Sequence, residues 1–436
     1  MKGIRSWLRR LFGGETGPAP VAEEASEEPV PVPEAEIDFA RLFVAARRAR
    51  RPEPLQDDGC EFALALYGQL RQAGGNLFFS PFSLRTALTL AYAGAKGDTA
   101  AQMSEVLGLP PSGEPMHAAI NAAIEWLGSA GGNGYELDIA NSLWCQEGLP
   151  LLAEFQELVS RQCRDCINRV DFRGAAEAAR VTINRWVEDW TRRRIQGLIP
   201  PGGVGADTRL VLVNAVYFKG LWEQPFDEAD TSDGFFHLEG GGKVIVPMMR
   251  RQAHVEYMNA GDYQAVDLAY QGDDLSMLVL LPKRNDGLRD LENGLSVGML
   301  RECALKLVPI VVKLHLPRFE MTWGSIDVAA QLKALGMADA FTRFEADFSG
   351  INGLEPAHEE SLYLSSIFHK AFIGVGERGT EAAAASAGYC LKAMELPTVP
   401  VFLADHPFVF AIRDRKRGAI LFLGRVADLS PASTVH

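Results

Sequence analysis

The stretch Gly376-Glu-Arg-Gly-Thr-Glu-Ala-Ala-Ala-Ala-Ser-Ala-Gly-Tyr-Cys-Leu-Lys-Ala-Met-Glu-Leu-Pro-Thr-Val-Pro400 decides how the rest of the sequence is interpreted. A strand-like run precedes it at 371–375, and two more follow at 399–403 and 408–412. A connection of about twenty residues inside a compact domain is usually functional or disordered. Its first half is rich in alanine, which favours a helix, but a helix of about seven residues is marginal in water.

The same stretch also fits a latent β-strand. Side chains alternate between the two faces of a strand. One face would then carry the small residues Thr380, Ala382, Ala384 and Ser386, and the other would carry Glu381, Ala383, Ala385 and Ala387. No proline occurs from Gly376 to Leu396, so every backbone N–H there is free to join a ladder. The pattern predicts a strip that fits between two existing strands.

Composition excludes several classes of protein. The chain has 436 residues, of which 47% are hydrophobic, and its net charge is -13. An acidic chain without a basic face argues against nucleic-acid binding. Six cysteines are too few for a disulfide-built scaffold. The pair Cys163 and Cys166 lacks the second pair or histidines that a zinc site needs, so we expect plain thiols and no metal.

The N-terminus differs from the rest of the chain. Residues 1–14 form a basic segment, and residues 2–12 place their apolar side chains on one helical face. This fits either a helix on an anionic membrane or a disordered basic start. Residues 15–54 form an acidic, proline-rich linker with a weak helix, expected to be disordered. The compact domain should span 55–430, followed by a tail at 431–436.

Periodicity within 55–430 indicates an α+β fold. The helical patterns are 58–73, 83–95 and 178–194. The further strand-like runs are 210–218, 267–270, 275–281, 310–316 and 420–426. Apolar runs separated by turns and mixed with long helices favour large antiparallel sheets. Residues 240–243 read as a hairpin turn.

Motifs of common enzymes are absent from the sequence. It contains no G-x-S-x-G elbow, no phosphate-binding loop, no H-E-x-x-H and no G-x-G-x-x-G. No motif points to an enzyme or a bound cofactor, and we expect neither, although a triad assembled from residues far apart in the sequence stays open at this point.

The sequence resembles the serpins, a family of serine protease inhibitors. Asn76-Leu-Phe-Phe-Ser-Pro-Phe-Ser83 is similar to their N-x-x-x-S-P-x-S segment, and Tyr217-Phe-Lys-Gly-Leu-Trp222 to part of a further motif. Eight such segments occur in the family's order: 76–83, 94–99, 184–199, 212–222, 369–372, 377–386, 405–408 and 422–425. The resemblance implies a large, mostly antiparallel central sheet, two smaller sheets, about nine helices and an exposed reactive centre loop.

The resemblance also assigns roles to residues. Ser80, Ser83, Asn214 and His369 match the shutter, where the central strands part. Lys219 and Trp222 match the breach, where the loop first enters the sheet. The residues that match the hinge are Glu377, Gly379, Thr380, Glu381, Ala382, Ala383, Ala384, Ala385 and Ser386.

The implied activity is that of a suicide substrate. A protease cuts the loop and forms an acyl-enzyme, and the freed strand then inserts into the sheet and distorts the protease. Counting from Gly379 places the cut bond at Ala393-Met394, with Lys392 as the neighbouring alternative. Ala393 favours an elastase- or subtilisin-like target, whereas Lys392 would suit a trypsin-like one. Cys390 lies beside this bond without an assigned role.

A second hypothesis is a protein with the same fold that does not inhibit proteases. A non-inhibitory serpin would act as a chaperone or a binding module. In either case we expect a monomer. Serpins are often extracellular, but no secretion signal is evident, so extracellular, cytoplasmic and membrane-associated locations all stay open.

Overall fold

The computed structural model describes residues 59–110, 134–162, 166–379 and 399–431, all within the compact unit Arg51–His436. The N-terminal segments 1–14 and 15–54 lie outside the described residues, as do residues 432–436 of the tail. The domain boundaries therefore stay predictions.

Nine α-helices lie in the described ranges. They are α1 (Cys60–Leu70), α2 (Pro81–Tyr92), α3 (Gly97–Leu107), α4 (Ala153–Gln162), α5 (Phe172–Trp190), α6 (Leu288–Gly294), α7 (Val297–Lys306), α8 (Ala329–Ala334) and α9 (Ser349–Asn352). Helix α5 begins earlier than its apolar pattern predicts, because the Asp171 carboxylate accepts the Gly174 N–H and caps its first turn. None of these helices is long and apolar enough to cross a membrane.

Fourteen strands accompany the helices in the same ranges. They are β1 (Leu77–Phe79), β2 (Tyr135–Gln146), β3 (Ile167–Val170), β4 (Leu210–Gly220), β5 (Ser232–His237), β6 (Lys243–Asn259), β7 (Tyr263–Ala269), β8 (Leu275–Pro282), β9 (Val308–Pro317), β10 (Phe319–Asp327), β11 (Leu364–Val375), β12 (Val401–Leu403), β13 (Phe408–Asp414) and β14 (Ile420–Val426). Residues 240–243 lie at the β5–β6 hairpin turn, as predicted.

The described strands form two hydrogen-bonded sheets, and the α+β class is confirmed. A nine-stranded sheet has the order β1-β14-β13-β8-β7-β6-β9-β12, with β5 also paired to β6. The resemblance implied two smaller sheets beside the central one. Here the 17-residue strand β6 pairs with β5 and β9 along one part and with β7 along another, so hydrogen bonding makes these strands one sheet.

The five-stranded sheet has the order β10-β11-β4-β2-β3. Its middle strand, β4, is apolar and buried along nearly its whole length, as expected for a strand covered on both faces. On one face Val211 and Val213 pack against Ile183 and Val187 of α5. Toward the other sheet, the Phe218 ring lies 5.5 Å from that of Phe422 in β14. The sheet is thus held between α5 and the nine-stranded sheet.

The cysteines differ from expectation at one position. Cys60, Cys145 and Cys303 are free and buried. Cys166 is disulfide-bonded, so the expectation of a plain thiol is wrong there.

Asn184 of α5 binds the backbone of Ile199, which lies in the segment that connects α5 to β4. Its side chain accepts the Ile199 N–H (2.8 Å) and donates to the Ile199 carbonyl (2.9 Å), and Asn184 is buried. We expect Asn184→Ala to lower the free energy of unfolding by about 2–3 kcal/mol, because two buried backbone groups lose their partner.

Urea denaturation monitored by circular dichroism would measure this effect. Thr182→Ala is the control, since Thr182 lies on the exposed side of the same helix. Equal unfolding midpoints for the two variants would contradict the assignment.

Candidate functional site

The candidate site is the seam between β4 and β11, the two strands at the centre of the five-stranded sheet. They pair in parallel from Leu364↔Leu210 to Ile373↔Phe218. A strand that follows β11 through a tight turn would run antiparallel to both neighbours. Because β4 and β11 run parallel, a strand that enters the seam from the end of β11 could pair antiparallel with both of them.

Five polar side chains meet across this seam. We call Ser80, Ser83, Asn141, Asn214 and His369 the seam cluster. Asn214 lies opposite His369 in one pairing and opposite Asn141 in the other. Its Nδ2 donates to Ser83 Oγ (2.6 Å) and to Asn141 Oδ1 (2.5 Å), and its Oδ1 lies 2.5 Å from His369 Nδ1. These bonds bring together three of the four residues predicted for the shutter and add Asn141.

Ser80 connects the seam cluster to the rest of the fold. Its hydroxyl accepts the Ser83 N–H (3.1 Å), which caps α2, and donates to the Leu421 carbonyl of β14 (2.7 Å). Its own N–H donates to His369 Nε2 (3.3 Å). The serine-proline sequence thus starts a helix and also holds both sheets at the seam.

His369 is neutral in this environment. The residue has no exposed surface, and burial lowers the pKa of its imidazole to about 3. Nε2 accepts a backbone N–H from Ser80, so the ring proton lies on Nδ1 and is donated to Asn214. Protonation at Nε2 would place two donors face to face.

A tight turn follows β11, and we call residues 376–379 the hinge turn. Gly376 N–H donates to the Gly379 carbonyl (2.7 Å), and Gly379 N–H donates back to the Gly376 carbonyl (3.2 Å). Gly379 has φ +139°, and a Cβ there would lie 1.9 Å from the Gly220 carbonyl oxygen. Only glycine fits this close approach to the end of β4.

Trp222 donates two hydrogen bonds to the hinge turn. Its indole Nε1 donates to the Gly376 carbonyl (3.0 Å), and its backbone N–H donates to the Arg378 carbonyl (2.8 Å). The buried indole stacks on Tyr270 with ring centroids 4.6 Å apart. Lys219, which was predicted together with Trp222, lies near the end of β4, opposite Glu136 in the β2–β4 pairing.

Glu377 anchors the hinge turn through a buried carboxylate. Its Oε1 accepts from the Thr231 hydroxyl (2.8 Å) and from Arg318 Nη2 (2.5 Å). Burial raises the pKa of this carboxyl, but hydrogen bonds from its own N–H, Thr231 and Arg318 outweigh burial and lower the pKa overall. Arg378 pairs with Glu228 at 3.1 Å.

Sequence reasoning missed Asn141, Thr231 and Arg318. Each is far in sequence from the residue it contacts, and none lies in a recognisable motif. Thr380 to Ser386 of the predicted hinge lie outside the described residues, as do Cys390, Lys392, Ala393 and Met394.

Comparison with known proteins identifies the family. A family model described as "Serpin (serine protease inhibitor)" matches residues 58–429. The chain belongs to the serpin family. This serpin is 40% identical to an uncharacterized serpin-like protein of Thermococcus kodakarensis, over 84% of either chain. It is 38% identical to leukocyte elastase inhibitor A of Rattus norvegicus, over 86% of this chain and all of that one.

A solved structure supports the same assignment. Uncleaved ovalbumin superposes with a TM-score of 0.77 at 28% identity, covering 86% of this serpin and 100% of ovalbumin. Membership in the family and the names of its relatives support the role of a protease inhibitor. Serpins are in general not catalysts.

The state of His369 predicts an acid-sensitive native form. Its pKa in the folded chain, about 3, lies below the ordinary value of 6.5, so the unfolded chain binds the extra proton between these values. The stability gained from a neutral His369 is present above pH 6.5 and is lost as the pH falls, at roughly 1.4 kcal/mol per pH unit.

Thermal unfolding at pH 7 and pH 5 would test this expectation. The wild type should lose more stability than His369→Gln between these two values, while the exposed-site control His358→Gln should follow the wild type. Parallel profiles for the wild type and His369→Gln would refute the assignment.

The Glu377 anchor predicts a second pH-dependent difference. We expect Glu377→Gln to lower the free energy of unfolding by about 1–2 kcal/mol at neutral pH, because the charged hydrogen bond to Arg318 is lost. The wild-type carboxylate stabilises the fold above its unfolded pKa, and this contribution disappears as the pH falls through the lowered folded pKa. The two proteins should therefore converge in acid.

Urea titrations at several pH values would measure this difference. Glu320→Gln, at an exposed position of β10, is the matched control. A Glu377→Gln variant as stable as this control at neutral pH would disprove the anchor.

Proposed function

We propose that this serpin is a suicide-substrate inhibitor of serine-type endopeptidases that traps the acyl-enzyme by inserting its cleaved loop between β4 and β11. The observation that carries the proposal is that the two strands of the seam, β4 and β11, run parallel. The hinge turn reverses the chain after β11, so the next strand would pair antiparallel with both neighbours. Insertion would replace one parallel ladder with two antiparallel ones.

The length of the loop supports this proposal. Residues 380–393 would extend over about 48 Å as a strand. Strand β4 has 11 residues and β11 has 12, so the insert would run the whole length of the seam. An acyl group attached at Ala393 would thereby move from one end of the sheet to the other.

The chemistry follows from the loop acting as a substrate. The protease serine would attack the carbonyl carbon of Ala393, form an ester and release the amine of Met394. Insertion would then pull the ester away, and the distorted oxyanion hole and triad would no longer hydrolyse it. The inhibitor would be consumed once per target.

The seam cluster and the hinge turn have matching roles in this mechanism. We assign Ser80, Ser83, Asn214 and His369 to the shutter that must open, with Asn141 as a further member. Trp222 and the hinge turn mark the entry point. Because Asn214 bonds directly to His369 across the seam, opening would break their hydrogen bond and replace it with ladder bonds to the insert.

The target class follows from the residues beside the bond. Ala393 favours an elastase- or subtilisin-like protease, with a trypsin-like one if the bond lies at Lys392. The name of the rat relative, leukocyte elastase inhibitor A, agrees with the first choice.

Electrophoresis with an elastase-like protease would test trapping. The wild type should form a complex that survives denaturant, whereas Thr380→Arg should be cleaved without a complex, because a bulky charge at the first inserted position blocks entry. The small-residue control Thr380→Ser should still form the complex. Complex formation by Thr380→Arg equal to wild type would rule out insertion.

Thermal unfolding of the cut protein gives an independent measurement. Cleavage near Ala393 should raise the melting temperature sharply, since insertion adds a paired strand. A clean cut with an unchanged melting temperature would favour the alternative, a non-inhibitory chaperone or binding module.

A further inference from the structure

His406 is a buried histidine whose two ring nitrogens both face hydrogen-bond acceptors. Its side chain is 7% exposed. Nδ1 lies 2.7 Å from Asp405 Oδ1, and Nε2 lies 2.6 Å from the carbonyl oxygen of Pro282 at the end of β8. Both distances are at the short end of the range for hydrogen bonds. Each nitrogen must therefore carry a proton to make its contact.

A neutral imidazole satisfies only one of these two acceptors. It has a single N–H, so its other nitrogen would turn a lone pair toward an oxygen. Neither a backbone carbonyl nor an ionised carboxylate has a proton to donate in return. The imidazolium form donates at both nitrogens. His369 has the opposite arrangement, because its Nε2 accepts the Ser80 N–H and its ring is neutral.

The surrounding groups leave His406 as the cation that pairs with Asp405. The imidazole of His315 in β9 also lies near this carboxylate, but burial and then the charge of Arg250 lower the pKa of His315 against an opposing effect of Asp405. Among the described residues, the ion pair with His406 is the only one that Asp405 makes. The adjacent Pro282 contributes its carbonyl and no charge. The geometry therefore favours a charge-assisted hydrogen bond between Asp405 and His406.

This pair lies directly after the strand that follows the reactive loop. Strand β12 has three residues and, in the described part of the chain, pairs only with β9. The backbone carbonyl of Asp405 accepts the His237 N–H at the end of β5 (2.7 Å), and His406 reaches the end of β8 through Pro282. The two residues thus connect the return of the loop to two strands besides β9.

We propose that Asp405 and a positively charged His406 form an ionic clamp that positions the return end of the reactive loop. The hinge turn fixes the chain at the end of β11, and the clamp fixes it where it comes back after β12. A hydrogen bond between two charged groups is roughly twice as strong as one between neutral groups, which compensates for the shortness of β12. The role at the loop rests on the proposed function, whereas the clamp itself does not.

Nitrogen NMR of the full chain with isotope-labelled histidine tests the charge of His406 at neutral pH. Chemical shifts and one-bond N–H couplings show whether each ring nitrogen carries a proton, and the signals missing from His406→Gln identify the residue. We expect both nitrogens of His406 to be protonated, but only Nδ1 of His369, which is the internal control. A neutral His406 ring would overturn the proposal.

Asp405→Asn is the conservative variant that separates charge from shape. Its amide N–H donates to Nδ1 of a neutral His406, while the Nε2 proton still binds the Pro282 carbonyl, so both contacts persist with one proton fewer. We expect the His406 signals to change to those of a neutral ring and the His369 signals to stay the same. A His406 ring that stays doubly protonated in this variant would contradict the clamp, because Asp405 would then not be what keeps the second proton in place.

Hydrogen–deuterium exchange with mass spectrometry measures how firmly the clamp holds the loop end. Asp405→Ala removes the acceptor at Nδ1, so we expect the amides of 401–404 to exchange roughly tenfold faster than in the wild type. Asp405→Asn and the exposed-site control Asp233→Ala should stay close to wild type. Unchanged exchange in Asp405→Ala would refute the positioning role. None of these measurements uses a protease, so their failure is distinguishable from failure of the proposed inhibition.

Discussion

The parallel pairing of β4 with β11 is the constraint on which the rest of the structure depends. It sets Asn214 opposite His369 and joins the two strands from Leu364↔Leu210 to Ile373↔Phe218. Parallel ladders are slightly less stable per residue than antiparallel ones. Here the pairing is reinforced at its centre by a buried side-chain network that also reaches α2 and β14. The seam is therefore held by specific polar bonds and not by apolar packing alone.

The hinge turn marks the end of the seam at which a strand that follows β11 would enter. Gly379 approaches the Gly220 carbonyl more closely than any side chain permits, and Trp222 binds two carbonyls of the turn. The buried Glu377 carboxylate fixes the turn to Arg318 and Thr231. These contacts fix the turn at the end of β11, which is what the proposed insertion needs.

Three buried ionisable groups near this region, His369, Glu377 and Arg251, differ in their charge or in the contacts that accompany it. His369 stays neutral, because burial lowers the pKa of its imidazole and its Nε2 already accepts the Ser80 N–H. Glu377 stays charged, because hydrogen bonds outweigh its desolvation. Arg251 has a guanidinium 4.5 Å from the centre of the Phe226 ring, and its buried Nε and Nη1 have no hydrogen-bond partner among the described residues. Burial disfavours the charged form of each group, and only at Glu377 do hydrogen bonds to the charged form outweigh it.

The sequence alone determined the α+β class, the family and many of the contributing residues, because local patterns such as the Ser80-Pro81 helix start and the apolar run of β4 need no distant partner. It did not reveal the full length of β11, whose apolar pattern is interrupted by Ser365, Ser366, His369 and Lys370. Nor did it reveal Asn141, Thr231 or Arg318. Tertiary structure alone decided these points, since pairing partners far apart in the chain are chosen by sheet register and packing, which one-dimensional spacing does not encode.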